Sequence, residues 1–190
     1  DTPNLKNIVD VTLQGAFPVS RIEERRQVVT NSSCGLCGRV TLDSLQAEVP
    51  RIDETWSVEG TAVLQWPFRL RQTQEAFERT GGMHAAGLFE ASGELVDVAE
   101  DVGRHNAVDK VVGHMLLTER LPLATFALMV SGRTSFEIVQ KALLARIPIV
   151  AAVSAPSTLA IQLAQESGIT LIGFVRDASY NVYSHSDRVV

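Results

Sequence analysis

The sequence predicts a three-layer α/β sandwich, in which helices cover both faces of a mixed β-sheet. From about residue 125 onward, short strand-like runs alternate with helical segments. The runs at 126–130 and 147–153 are apolar without alternation, as expected of parallel strands that are covered on both faces. Two earlier strand-like runs, joined by Ser92-Gly93, indicate an antiparallel hairpin. The sheet should therefore contain both parallel and antiparallel pairs.

The individual elements follow from hydrophobic periodicity and from flanking Gly and Pro residues. The helix predicted at 104–118 places its apolar residues at helical spacing, so one of its faces is suited to burial. In order, the pattern predicts a helix at 67–79 that ends at Gly81-Gly82, strands at 83–91 and 94–100, the helix at 104–118, a strand at 125–130, a helix at 135–145, a strand at 148–153, a helix at 158–166 and a strand at 170–175.

The first fifty residues have a different character. Short alternating stretches at 8–13 and 27–31 predict a small β-rich portion, and the start at Asp1 rather than Met suggests that this portion is truncated. It ends in a loop of small residues that carries Cys34 and Cys37, and such a loop is expected to be exposed and flexible. We therefore predict two parts, residues 1–50 and an α/β domain at 51–190.

The overall composition excludes several classes of protein. With 17 Lys and Arg against 22 Asp and Glu, the net charge is −5, so the chain lacks the basic field typical of nucleic-acid or anionic-membrane binding. No apolar run approaches the roughly 20 residues that span a bilayer. Two cysteines cannot make a disulfide framework. We expect a cytoplasmic protein that binds neither nucleic acid nor membranes.

Two thiols separated by two residues are compatible with three kinds of chemistry. Cys34 and Cys37 could bind zinc with two further ligands, exchange a disulfide, or present one thiolate as a sulfur nucleophile beside the other. Further zinc ligands would have to come from carboxylates or from the four histidines, because the chain has no third cysteine. The spacing alone does not choose among these, nor does it exclude thiols without a role.

Polar residues follow several predicted strands where a helix begins. Ser131, Gly132 and Arg133 form one such junction, where free backbone donors and the helix dipole favour a phosphate, although Thr134 and Glu137 also match a capping box. A second polar junction lies at 154–158. Strand ends that converge in this way form the ligand crevice of many α/β folds.

Three further groups of residues have both a functional and a structural interpretation. At 100–106, His105 suits a general acid or base and Arg104 an anion contact, but the segment also suits a solvated helix cap. For His84, a structural role is the more common outcome. The segment 174–183 either contributes stacking and polar contacts to a nucleotide or closes the sheet as a hairpin.

Six sequence blocks together resemble the formate dehydrogenase accessory sulfurtransferase family of the FdhD type. They occur in the family's order and span the chain from about residue 27 to its end. The blocks are residues 32–38 (SSCGLCG), 80–86 (TGGMHAA), 100–110 (EDVGRHNAVDK), 131–137 (SGRTSFE), 155–158 (APST) and 173–176 (GFVR).

The resemblance implies a cytidine-deaminase-like fold, a cysteine desulfurase as sulfur donor, formate dehydrogenase as client and a homodimer. It also implies that the chain binds a molybdenum or tungsten bis-molybdopterin guanine dinucleotide, with no resident cofactor or metal of its own. Cys34 would carry the persulfide and Cys37 would assist. The resemblance places cofactor contacts on the terminal motif Phe174, Val175, Arg176, Asp177, Ala178 and Ser179. From the strand–helix junctions we also expect contacts from Ser131, Gly132, Arg133 and His105.

The chain departs from zinc deaminases in its motifs. None of its four histidines is followed two residues later by Glu, and Ser33 rather than Pro precedes Cys34. Sulfur transfer by a persulfide on Cys34, which the resemblance implies, is our hypothesis for function. The alternative is a chaperone that binds the nucleotide cofactor and whose two thiols hold zinc or sense redox state.

Overall fold

The computed structural model describes residues 50–190. The predicted β-rich portion at 1–50 and the loop with Cys34 and Cys37 lie outside the described residues, apart from Pro50 itself. The division into these two parts therefore stays a prediction.

Six strands form one mixed sheet in the order β2-β1-β3-β4-β5-β6. The pairs β3/β4 and β4/β5 are parallel, and the other three pairs are antiparallel. The elements are α1 (Gly60–Gln72), α2 (Glu75–Thr80), β1 (His84–Phe89), β2 (Leu95–Asp101), α3 (Arg104–Leu117), β3 (Ala127–Val130), α4 (Phe136–Leu144), β4 (Ile149–Ala152), α5 (Thr158–Ser167), β5 (Thr170–Arg176), β6 (Ser179–Ser184) and a final 3₁₀ turn (Ser186–Arg188).

Helices cover both faces of the sheet, which confirms the predicted three layers. Along β3, Ala127 and Met129 belong to the core beneath α1, whereas Leu128 and Val130 belong to the core beneath α3, α4 and α5. All four residues are buried, because successive side chains of a strand point to opposite faces and both faces here are covered. None of the helices within residues 50–190 is long and apolar enough to span a bilayer.

The helix predicted at 67–79 is wrong in its bounds. It is two helices: α1 begins at Gly60, seven residues before the predicted start, and α2 follows a break at Thr73 and Gln74. Pro67, which favours a first helical turn, lies inside α1 instead. The burial of Val63, Trp66 and Leu70 at helical spacing outweighs the local preference of proline.

Residues 52–60, which precede α1, are bonded to the last residues of the chain, and we call this arrangement the clasp. Val58 pairs with Val189 as an isolated bridge, and the Gly60 amide donates to the Val190 carbonyl over 2.7 Å. Arg188, which is only 5% exposed, donates from Nε to the Glu54 carbonyl at 2.8 Å, and from Nη1 to the Gly168 carbonyl at 2.9 Å. The clasp therefore depends on one buried guanidinium.

The clasp also explains why position 168 requires glycine. Gly168 ends α5 with φ of 79°, and a β-carbon there would collide with the Ile52 carbonyl oxygen. We expect Gly168→Ala to lower the free energy of unfolding by about 2 kcal/mol. Gly113→Ala is the matched control, because a β-carbon at Gly113 meets nothing within 4 Å. It should instead stabilise the fold by about 0.5–1 kcal/mol. Equal urea midpoints for the two variants would contradict this account.

Candidate functional site

The sheet topology brings the polar strand ends to one edge. The parallel strands β3 and β4 end there, and the loops that follow them begin at Ser131 and Val153. Because β1 is antiparallel to β3, the first residue of β1, His84, lies at the same edge, where it pairs with Asp101 at the end of β2. The carboxyl edge thus collects the predicted junctions, as in other open α/β sheets.

Because Gly132 has no side chain, His84 and Arg104, which are distant in sequence, both pack against it at this edge. A β-carbon at position 132 would lie 3.3 Å from His84 Nδ1 and 3.6 Å from Arg104 Cδ. The neighbouring Ser131 Oγ accepts a hydrogen bond from the Ala85 amide at 2.8 Å. The buried Nε of Arg104 has no hydrogen-bond partner among the residues that the structure describes. A buried guanidinium donor without a partner suits an anionic ligand.

His105 lies beside Ser135 and Glu137 at the first turns of α3 and α4. Its Nε2 is 2.8 Å from Ser135 Oγ and 3.9 Å from Glu137 Oε2. Burial, together with the Arg104 cation, lowers the pKa of His105. Burial opposes ionisation of Glu137, but the hydrogen bond from Ser135 and the nearby cationic groups lower its pKa overall. At neutral pH the site therefore combines a neutral imidazole with a carboxylate.

The lowered pKa of His105 predicts a pH dependence of stability. The native state binds the imidazole proton more weakly than the unfolded state does, so protonation favours unfolding. Stability should fall as the pH drops below about 6.5 and through the native pKa. We expect His105→Gln, which can keep a hydrogen bond to Ser135, to weaken this dependence in thermal unfolding measured between about pH 8 and pH 5. An unchanged slope would contradict the assignment.

The charged groups around His105 shift its pKa in opposite directions. Arg104 and Lys141 lower its pKa, whereas Glu137 and Asp109 raise it. Lys141 Nζ is itself paired with Asp109 Oδ1. We expect Glu137→Gln to lower the titration midpoint of His105 further in NMR spectra, because the variant removes a favourable negative charge.

Several polar residues of this edge have structural roles. Asp101 Oδ1 accepts from the Gly103 amide at 2.9 Å and its Oδ2 lies 2.6 Å from Lys110 Nζ, and this ion pair lowers the pKa of Asp101. The Glu100 carboxylate accepts from the amides of Ala76 and Phe77 in α2. These two carboxylates therefore have structural roles, although neither caps α3, whose N-cap Gly103 has no side-chain capping bond. His105 and Arg104 are the residues of this segment that we consider for a ligand.

The predicted capping box at Thr134 and Glu137 does not form. Ser135 is the N-cap of α4 and makes no side-chain capping bond, while the buried Thr134 Oγ1 has no partner among the described residues. The backbone of Thr134 instead bridges to Pro156, which joins the loops after β3 and β4. The backbone pairing between the loops after β3 and β4 forms here, and the side-chain cap of α4 does not. Arg133 is exposed beside these loops.

The terminal motif forms the closing hairpin of the sheet, which was one of its two interpretations. Phe174 has a φ of 53°, and its amide donates to the Ser154 carbonyl at 3.3 Å. Val175 is buried in the core beneath α1, so it offers its backbone rather than its side chain. Arg176, Asp177, Ala178 and Ser179 are exposed at the hairpin tip. The structure thus places Phe174 next to the loop that follows β4.

The remaining histidines lie apart from this cluster. His114 Nδ1 is 2.8 Å from Asp97 Oδ2 on the outer side of α3, and His185 Nε2 is 2.9 Å from the Gln165 carbonyl. Within residues 50–190, no group of three or more potential ligands among His, Cys, Asp and Glu is close enough to hold a metal ion.

A cavity that sequence reasoning missed opens at the carboxyl edge on the α1 side of the sheet. It has a volume of about 520 Å³ and is lined by α1, α2, the loop before β1 and the first residues after β3 and β4. Gln74, in the break between the two helices, lies in its wall. The sequence carries little signal for it, because the cavity exists only where the predicted single helix divides.

Comparison with known proteins gives consistent matches over the chain. The model of the FdhD/NarQ family matches residues 4–190. The sulfur carrier protein FdhD of Streptomyces coelicolor is 53% identical over 193 residues, which cover all of this chain and 68% of that protein. The protein of the same name from Mycobacterium tuberculosis is 46% identical over 186 residues, which cover 96% of this chain and 67% of its own length. The chain thus spans about two thirds of these relatives.

Two solved structures are also similar. The crystal structure of a candidate formate dehydrogenase accessory protein from Desulfotalea psychrophila matches with a TM-score of 0.70 and 30% identity, over 80% of this chain and 64% of that one. Guanine deaminase from Nitrosomonas europaea matches with a TM-score of 0.48 and 13% identity, over 73% and 87% of the two chains, which is too low to carry an argument.

Proposed function

The chain belongs to the FdhD/NarQ family, as its six sequence blocks predict, and we propose from this premise that it is a sulfur carrier that serves formate dehydrogenase. In this proposal, Cys34 receives sulfur from a cysteine desulfurase and delivers it to the molybdenum or tungsten of a bis-molybdopterin guanine dinucleotide. The protein would act in the cytoplasm, as a homodimer. The observation that carries the proposal is the match to curated sulfur carriers at up to 53% identity over the whole chain.

The carboxyl edge supports the binding of an anionic dinucleotide. Arg104 offers a buried Nε donor that has no partner among the described residues, and its side chain packs against Gly132 beside His84. The exposed Arg133 and the hairpin tip at 176–179 border the same edge. These donors fit the phosphates of such a guest, because guanidinium groups and free backbone amides are the usual phosphate ligands of proteins.

The first sulfur step requires a nucleophilic thiolate, and the second also requires two electrons from the substrate metal. Cys34 as thiolate attacks the terminal sulfur of the desulfurase persulfide; a new S–S bond forms on Cys34, and the desulfurase thiolate leaves. In the second step the terminal sulfur is transferred to the substrate metal, which supplies two electrons, and Cys34 departs as thiolate. Arg39, which is near in sequence, would favour the thiolate form by its charge.

Intact-protein mass spectrometry tests the first step. After incubation with a cysteine desulfurase and cysteine, we expect an increase equal to one sulfur atom that peptide mapping places on Cys34 and that a reductant removes. An increase on neither Cys34 nor Cys37 would overturn the proposal. Stoichiometric zinc that is lost in Cys34→Ser, with no sulfur adduct in the wild type, would instead identify a cofactor chaperone.

A further inference from the structure

We propose that the homodimer forms at the edge strand β6, where β6 of a second copy pairs antiparallel about a two-fold axis. The two sheets would then join into one continuous sheet. This inference rests on the homodimer of the proposed function and identifies the surface that forms it. It is supported by the composition of the two edge strands, the direction of the backbone groups of β6 and a groove beside this strand.

The two edge strands of the sheet differ in charge. β2 carries three carboxylates among its seven residues, Asp97, Glu100 and Asp101. β6 has neither a charged residue nor a proline among its six residues. Charged side chains and proline are common means by which an exposed edge strand avoids pairing with another chain. The composition of β2 therefore opposes such pairing, whereas that of β6 favours it.

The backbone groups of Tyr180 and Val182 point away from β5. The Leu171 amide is bonded to the last residue of β6, so alternate residues of β5, including Gly173, direct their backbone groups at β6. Gly173 pairs with Asn181, whose own groups therefore face β5. The residues on either side of Asn181 must direct theirs outward, and neither makes a backbone hydrogen bond to a further described element.

These outward groups define the register of the proposed pairing. With the two-fold axis perpendicular to the sheet and between the two Asn181 residues, Tyr180 of each copy lies opposite Val182 of the other and exchanges both N–H···O bonds with it. Both side chains pack against the core beneath α1, so they lie on one face of the sheet. An aromatic residue opposite a β-branched one is a favourable cross-strand pair.

A groove lies beside β6 where the hairpin tip of the second copy would pass. It has a volume of about 310 Å³ and is lined by α5 and by residues 182–186. Antiparallel pairing about Asn181 directs residues 176–179 of the second copy along this groove. The tip brings the exposed Arg176, and the exposed Asp187 directly follows the groove residues. This charge complementarity favours a second copy as the occupant.

Cysteine cross-linking tests the register in the full chain with Cys34→Ser and Cys37→Ser, where the introduced thiol is the only one. Asn181→Cys places two thiols at the axis, where opposite Cα atoms lie about 4.5 Å apart, within the reach of a disulfide. We expect mild oxidation to convert most of this variant into a covalent dimer on non-reducing gels. In the control Ser179→Cys, the two Cα atoms would be about 13 Å apart, so this variant should remain uncross-linked.

Asn181→Lys should raise the dissociation constant of the homodimer about tenfold or more in sedimentation equilibrium, because two ammonium groups would face each other across the axis. Glu94→Lys, at an exposed position before β2, should leave it unchanged. The inference is overturned if Asn181→Lys dimerises as tightly as the wild type, or if the two cysteine variants cross-link equally.

The outcomes separate this interface from the sulfur chemistry. A monomeric wild type that accepts a persulfide on Cys34 would refute the interface and leave sulfur transfer intact. A dimer that cross-links at position 181, together with a wild type that accepts no persulfide, would support the interface and refute sulfur transfer alone.

Discussion

Cys34→Ser should abolish activation of formate dehydrogenase, with a loss on the order of 100-fold or more relative to the wild type. The serine hydroxyl has nearly the size of the thiol, but it does not ionise near neutral pH and cannot form an S–S bond, so no persulfide is available for transfer. The measurement is the activity of the client enzyme after maturation in cells that produce each variant of the chain.

Cys37→Ser is the matched control, since it removes the second thiol of the same sequence motif. If Cys37 assists by resolving or protecting the persulfide, its loss should reduce activation without eliminating the sulfur adduct on Cys34. Full activation of the client by Cys34→Ser would show that the sulfur does not travel on this thiol.

Arg188→Met should cause the largest loss of stability. The guanidinium is 5% exposed and donates to the carbonyls of Glu54 and Gly168 and to Thr170 Oγ1, the last at 3.1 Å. Methionine fills much of the space but leaves these acceptors without donors. We expect a loss of about 4 kcal/mol and a fall in the melting temperature of roughly 8–16 °C.

Arg79→Met provides the comparison for Arg188. Arg79 is exposed in the last turn of α2, so its replacement should change the unfolding free energy by less than about 0.5 kcal/mol. Calorimetry of the two variants and the wild type measures the difference. Similar melting temperatures for the two variants would mean that the clasp contributes little to the stability of the domain.

The sequence predicts the sheet more completely than the helix that precedes it. The buried strands at 126–130 and 147–153 are apolar on both faces, and each is bounded by clear turn residues, so their local pattern agrees with the final packing. The region at 60–80 is different. Its start is set by contacts of Val63 and Trp66 with the far side of the sheet, and the local signal of Pro67 is outweighed.

The candidate site shows the same contrast. Polar residues after the strands, such as Ser131 and His105, could be predicted to lie at one edge, because parallel strands bring their carboxyl ends together. The cavity that Gln74 lines could not be predicted, because it depends on a helix break and on elements that are distant in sequence. The sequence also cannot show that Arg104 Nε lacks a partner among the described residues, because this depends on the packing around it.

The adjacent carboxylates of Glu100 and Asp101 constrain the register in which the edge strand β2 pairs with β1. Glu100 holds the first turn of α2 on one face of the sheet, and Asp101 holds the start of α3 on the other. If β2 slipped by one residue against β1, the two side chains would exchange faces and both helices would lose their anchors together. A misregistered strand would thus lose the contacts of both helices at once, so the two carboxylates together favour the native register of β2.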